Sequence, residues 1–235
     1  MNDRVIITVD GASGTGKTTL SKLLAEKIGF QHLNSGALYR SVAYLCLQEG
    51  LDLSDQDAIL QMLSRHSIKL ALGADGLPVT LVDGNPVDEL IRTPEVSEAT
   101  SKISVLKLVR DYLVPHQRDA FPGCGMVAEG RDMGTVMFPD AQLKFFITVD
   151  QDTRIARRLA QLLEKEPNAS PERVNELKSQ MKIEVADRDS RDSQREIAPL
   201  KQAQDALVID NSAQTLTQTL ENMYDAASKR GLVKN

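Results

Sequence analysis

Gly11-Ala12-Ser13-Gly14-Thr15-Gly16-Lys17-Thr18 has the residue types and the spacing of a phosphate cradle. It fits the G-x-x-x-x-G-K-[ST] pattern without a mismatch. Glycines let the backbone curl with its N–H groups inward, and a helix starting there adds partial positive charge. Lys17 is then placed for the β and γ phosphates, and the Thr18 hydroxyl for Mg²⁺. The flanks supply the context that the pattern needs. Val5-Ile6-Ile7-Thr8-Val9 reads as a buried strand, and Leu20, Leu23, Leu24 and Ile28 recur at helical spacing. The stretch predicts a nucleoside triphosphate site.

Arginine is the second chemical signal. The formal charge of the 235-residue chain is −5, which argues against a general nucleic-acid or anionic-membrane binder. Yet Arg40, Arg110, Arg131, Arg157, Arg188 and Arg195 each fall near a strand end or in a segment able to fold over one. Planar guanidinium forks suit the crowded oxygens of two phosphates in transfer. An acidic chain with arginine gathered around a phosphate loop points to a small-molecule kinase. A hydrolysing switch or motor is the rival. It needs Asn-Lys-x-Asp, which the sequence lacks, or an acidic strand end, for which Asp150 is the candidate. Asp150 reads better as the start of the next helix.

The elements that must position these residues follow from periodicity and punctuation. A short extended piece at 30–33 ends in Asn34-Ser35-Gly36, followed by a helix over about 37–48. Ligands in open α/β sheets sit at carboxyl strand ends, which aims Ser35, Tyr39 and Arg40 at the crevice. Taken singly, Arg40 is a solvated helix charge and Tyr39 a packing residue. Residues 55–66 are helical, and 67–72, 78–83 and 86–88 read as a small antiparallel insert. Thr93-Pro94 starts a long helix carrying Val96, Ile103, Leu106, Val109 and Leu113 inward. Strands are expected over 125–129, 143–149 and 206–210, and helices over 167–186 and 215–228. The charge run 187–195 taken alone is a solvated face. Cys46 and Cys124 have no ligand-like spacing, and the N-terminus does not read as a secretory leader. Both predict a cytoplasmic protein with reduced thiols.

Several of these stretches together resemble the bacterial cytidylate kinases, a nucleoside monophosphate kinase family. The resemblance lies in Val9-Asp10-Gly11, Ser35-Gly36-Ala37-Leu38-Tyr39-Arg40, Ile91-Arg92-Thr93 and Gly130-Arg131-Asp132-Met133-Gly134-Thr135-Val136. It continues in Phe138-Pro139-Asp140-Ala141 and in residues 188–200, so it spans nearly the whole chain. Three positions depart from the pattern: Asn34 and Glu129 stand where Asp is usual, and Thr19 follows Thr18.

The resemblance implies transfer of phosphate from ATP to CMP or dCMP, with Mg²⁺, by a monomer. It implies an α/β P-loop nucleoside triphosphate hydrolase fold: a parallel central sheet flanked by helices, an antiparallel monophosphate-binding insert and a helical lid. The single domain would divide into a core (about 1–36, 94–152 and 200–235), the insert region (about 37–93) and the lid (about 153–199). Ser35, Arg40, Arg131 and Arg195 would hold the acceptor phosphate, with Tyr39 in the same site. Ser101, Arg110 and Asp132 would face cytosine, and Arg188 with Asp192 the sugar. Gly11 to Thr19 and Arg157 would take ATP. Lys17, Arg131, Arg188 and Arg195 would be the catalytic cations. Asp10 could orient the phosphate loop or help order metal-bound water.

Overall fold

The computed structural model describes residues 4–164 and 166–233. Apolar runs, buried at the centre of the sheet and largely exposed in its last strand, form a five-stranded parallel sheet. Its strands are β1 (Ile6–Gly11), β2 (Gln31–Asn34), β6 (Met126–Gly130), β7 (Leu143–Thr148) and β8 (Leu207–Asp210), in the order β2-β6-β1-β7-β8. β1 is central, and Asp10 on it is in register with Gly130 on β6. The phosphate loop and the Gly130–Gly134 loop therefore leave adjacent strands at the same edge, where such sheets bind ligands.

Helix α1 (Lys17–Ile28) packs Leu20, Leu24 and Ile28 against Ile7, Val9 and Phe145. Side chains buried this fully contribute about 1.5–3 kcal/mol each. α8 (Leu216–Lys229) covers the same side, opened by a capping box between Thr215 and Gln218. A second core joins α2 (Ser35–Gln48), α3 (Gln56–Arg65), α4 (Pro94–Ile103) and α5 (Lys107–Arg118). Strands β3 (Ile68–Leu72), β4 (Pro78–Val82) and β5 (Asn85–Pro86) make the expected antiparallel insert, with a third strand shorter and earlier than 86–88.

Other boundaries moved for local reasons. Asn34 ends β2 and at once caps α2, its Oδ1 accepting from the Ala37 amide at 3.1 Å, so Ser35 is already helical. The single helix expected after Thr93 is broken at Ser104-Val105-Leu106. Leu106 is extended, and the freed Ser104 carbonyl accepts from Arg110 at 3.2 Å. After α6 (Gln151–Leu163), Ser170 caps α7 (Pro171–Ser193), which runs on through most of the charge run. Among the described residues no helix is long and apolar enough to cross a membrane.

Candidate active site

Phosphate-loop geometry follows from two glycines. Gly14 and Gly16 take φ of 79° and 83°, a left-handed backbone that side chains disfavour. No side chain caps α1, so its first amides are left to the loop. Ala12 O accepts from Thr15 Oγ1 at 3.1 Å and from Lys17 Nζ at 2.9 Å. Asn211, beyond β8, braces the loop by donating from Nδ2 to Thr15 O at 3.0 Å. Burial, then the neighbouring Arg131, pushes the Lys17 ammonium well below its ordinary range.

Above the loop opens a cleft of about 400 Å³. Ser13, Gly14, Lys17 and Thr18 line its floor, while Gly11, Ala12, Thr15 and Gly16 frame the loop behind. Thr19 is exposed on α1 outside the cleft. Thr18 Oγ1 donates to Glu129 Oε2 at 2.9 Å, and His32 Nε2 stands 3.4 Å from Glu129 Oε1. Burial alone would raise the Glu129 carboxyl; His32, Lys17 and Thr18 outweigh it and leave it below the usual range. A hydroxyl and an ionised carboxylate side by side are hard oxygen donors that suit Mg²⁺.

Ser35, Tyr39 and Arg40 reach the cleft from α2. Arg40 donates to Ile91 O at 3.1 Å and Ser97 Oγ at 2.8 Å, both neutral, and burial followed by Arg158 lowers it to about 10. Arg110 pairs with Asp132 in the interior and lies 5.6 Å over the Tyr39 ring. Beside them the buried Ser101 hydroxyl has no hydrogen-bond partner among the described residues. Asp192 joins Arg131 Nε at 2.7 Å and also Arg195, so the carboxylate expected to face the sugar bridges two arginines.

The 187–195 segment is solvated on one side only: Asp187, Ser190, Ser193 and Gln194 are exposed, while Asp192 is buried and Arg188 lines the cleft. Arg188 makes no ion pair among the described residues, and burial, then Arg131, lowers it to about 9. Arg157 turns away from the cleft, donating to Asn211 O at 2.8 Å behind the loop. Its neighbour Arg158 lines the cleft instead, with Arg92 and Ser97. These three had no individual role from the sequence. The signal for Arg158 was present in its i, i+4 relation to Arg154, which grips Ser13 O at 3.2 Å. Asp150, the possible acidic strand end, caps α6 by accepting from Thr153 N at 2.8 Å.

A phosphate loop at the edge of a parallel sheet, facing a cleft crowded with guanidinium groups, defines a P-loop phosphotransferase. Comparison with known proteins narrows the class, because the model of the cytidylate kinase family matches residues 7–229. A cytidylate kinase of Marinomonas sp. is 42% identical over 234 residues, covering 99% of this chain and all of the relative. Those of Pasteurella multocida and Carboxydothermus hydrogenoformans are 40% and 38% identical, covering 94% and 95% of this chain and 93% and 97% of theirs. The chain belongs to the cytidylate kinase family.

Proposed function

We propose that this chain moves the γ-phosphoryl group of ATP onto the phosphate of CMP or dCMP, giving ADP and CDP or dCDP. The observation that carries this is the charge arrangement of the cleft. Arg92, Arg158 and Arg188 have no carboxylate partner among the described residues, and Arg40 meets only neutral oxygens. Such a site takes two polyanions readily and neutral substrates poorly. At the far side Arg110, Asp132 and Ser101 offer a donor, an acceptor and a free hydroxyl suited to a cytosine edge.

The acceptor phosphate oxygen attacks the γ-phosphorus in line as the bond to the β-phosphate oxygen breaks, with no covalent enzyme intermediate. Lys17 and the loop amides hold the donor phosphates. Ser35, Arg40, Arg131 and Arg195 hold the acceptor phosphate, and Arg188 stands between the two. Arg158 takes the phosphate-facing role first expected of Arg157. Thr18, with Glu129 beside it, would hold Mg²⁺, which would supply charge neutralisation at the triphosphate. In this reading residues 153–199 close as a lid and 37–93 carry the monophosphate side, on a core of 1–36, 94–152 and 200–235. The lid excludes water, so that transfer outruns hydrolysis. The working form is a cytoplasmic monomer with nucleotides as its partners.

A coupled ADP-release assay across CMP, dCMP, UMP and AMP tests the proposal. CMP and dCMP are expected to drive turnover, with little ADP released in their absence. Equal ADP release with and without acceptor would overturn it in favour of a hydrolase.

A further inference from the structure

The turn that follows Asp132 has a capping problem. Met133–Met137 is a π-helical turn, closed by Met137 N donating to Asp132 O at 3.0 Å and Phe138 N to Met133 O at 2.7 Å. The amides of Met133 and Gly134 precede any such bond and need other acceptors. An aspartate in the capping position ordinarily serves the second or third amide of the turn with its own side chain, here Gly134 or Thr135. Asp132 occupies that position and does not; its carboxylate pairs with Arg110 at the cleft. Asp10 on β1 serves Gly134 in its place, and Met133 as well, Oδ2 accepting from Gly134 N at 2.8 Å and Oδ1 from Met133 N at 2.9 Å. The approach requires glycine. A Cβ at Gly134 would lie 2.9 Å from Thr8 Oγ1 and 3.4 Å from Asp10 Oδ2. Each Asp10 oxygen is held by one of these amides, and the carboxylate beside Thr18 is that of Glu129.

We propose that Asp10 is a positioning residue for base selection, capping the Met133–Met137 turn from β1 and thereby freeing the Asp132 carboxylate to face the acceptor base with Arg110. The inference rests on Asp132 and Arg110 reading the base. Asp10 also directly precedes Gly11, so one side chain ties the base-reading turn to the strand that carries the phosphate loop.

The test is kcat/KM for CMP and for UMP, above neutral pH, in the unmutated enzyme, Asp10→Asn and Gly134→Ala, with melting curves alongside. Asn sets an amide donor against one of the two N–H groups, which draws Asp132 back toward the turn. The CMP-to-UMP ratio is expected to fall about ten-fold, the effect of one unmatched buried polar group. KM for CMP should rise while KM for ATP stays within about two-fold. Gly134→Ala displaces the same amide from the other side and is expected to lower the ratio too. An unchanged ratio in folded Asp10→Asn, or in Gly134→Ala should the first not fold, overturns the proposal. Equal loss for both substrates is such a result. Amide exchange in the unmutated chain needs no variant: rapid exchange at Met133 or Gly134 would also overturn the cap. If the unmutated enzyme does not prefer CMP to UMP, the reading of Asp132 and Arg110 has failed, independently of Asp10.

Discussion

Arg188 holds a guanidinium where water reaches it poorly and no carboxylate bonds it among the described residues. Folding gains nothing from an unpaired buried charge, so the residue makes physical sense as a binder of phosphate. Arg188→Ala is expected to lower kcat/KM by about 10²–10³ while the melting temperature holds or rises. Unchanged kinetics would remove Arg188 from phosphate binding. Asp132 carries the complementary prediction. Cytosine presents an amino donor beside a ring acceptor, and uracil presents the reverse. Each mismatch in a buried site costs roughly 1–3 kcal/mol, so a carboxylate facing the base is expected to disfavour UMP. Asp132→Asn supplies a donor and is expected to narrow the kcat/KM ratio of CMP over UMP. A carboxylate that merely anchored Arg110 would lower both substrates equally.

Elements are joined by charges as well as by apolar stripes, and the antiparallel insert shows how. His66 follows α3, with Nδ1 2.6 Å from Asp83 Oδ2 in the β4–β5 turn and Nε2 2.8 Å from Glu49 Oε1 after α2. Arg65 shares Glu49, and the Tyr112 hydroxyl of α5 donates to the His66 carbonyl at 3.4 Å. Two carboxylates, Asp83 first, raise the imidazole above its ordinary value. Asp83 is lowered by the Ser67 amide and then His66, and Glu49 by His66 first. A raised imidazole stabilises the fold fully below the unfolded value and loses that share as pH rises through the folded value. The carboxylates lose theirs in acid, as pH falls through their lowered values. The melting temperature is therefore expected to decline as pH rises past neutral, and His66→Gln to flatten that decline. An equally steep decline in the variant would remove His66 as its source.

At the scale of the molecule, α6 and α7 meet the phosphate loop and the Gly130 loop through few polar contacts. Arg154 of α6 reaches Ser13 O at 3.2 Å while pairing with Asp189 of α7 at 2.9 Å, and Asp192 of α7 reaches Arg131 at 2.7 Å. Ligands that fill the cleft add bonds to Arg158 and Arg188 on these same helices, so nucleotides should tighten the contact. CMP with a non-hydrolysable ATP analogue is expected to slow amide exchange in α6 and α7 and leave β3 and β4 unchanged. Identical exchange with and without the nucleotides would remove the lid reading.

Local chemistry made the phosphate loop, the Thr93 cap with Pro94, the alternation of strands and helices and the insert turns legible in the sequence. Each depends on residues within a few positions of one another. Two features depended on contacts far apart in the chain, and a third was masked by periodicity. The Ser104–Leu106 break interrupts a stripe that keeps its helical period, since Val96, Ile103, Val109 and Leu113 remain buried on both sides of it. The charge run at 187–195 reads as solvated because signs that alternate along a helix cancel locally. Its Asp192 instead meets Arg131, 61 residues away. Asp10 gains its partners only when β1 and β6 pair and set it against the Met133 and Gly134 amides. Periodicity reports which side of an element is buried. Which charge faces which is decided by the sheet order, and that exists only in the tertiary structure.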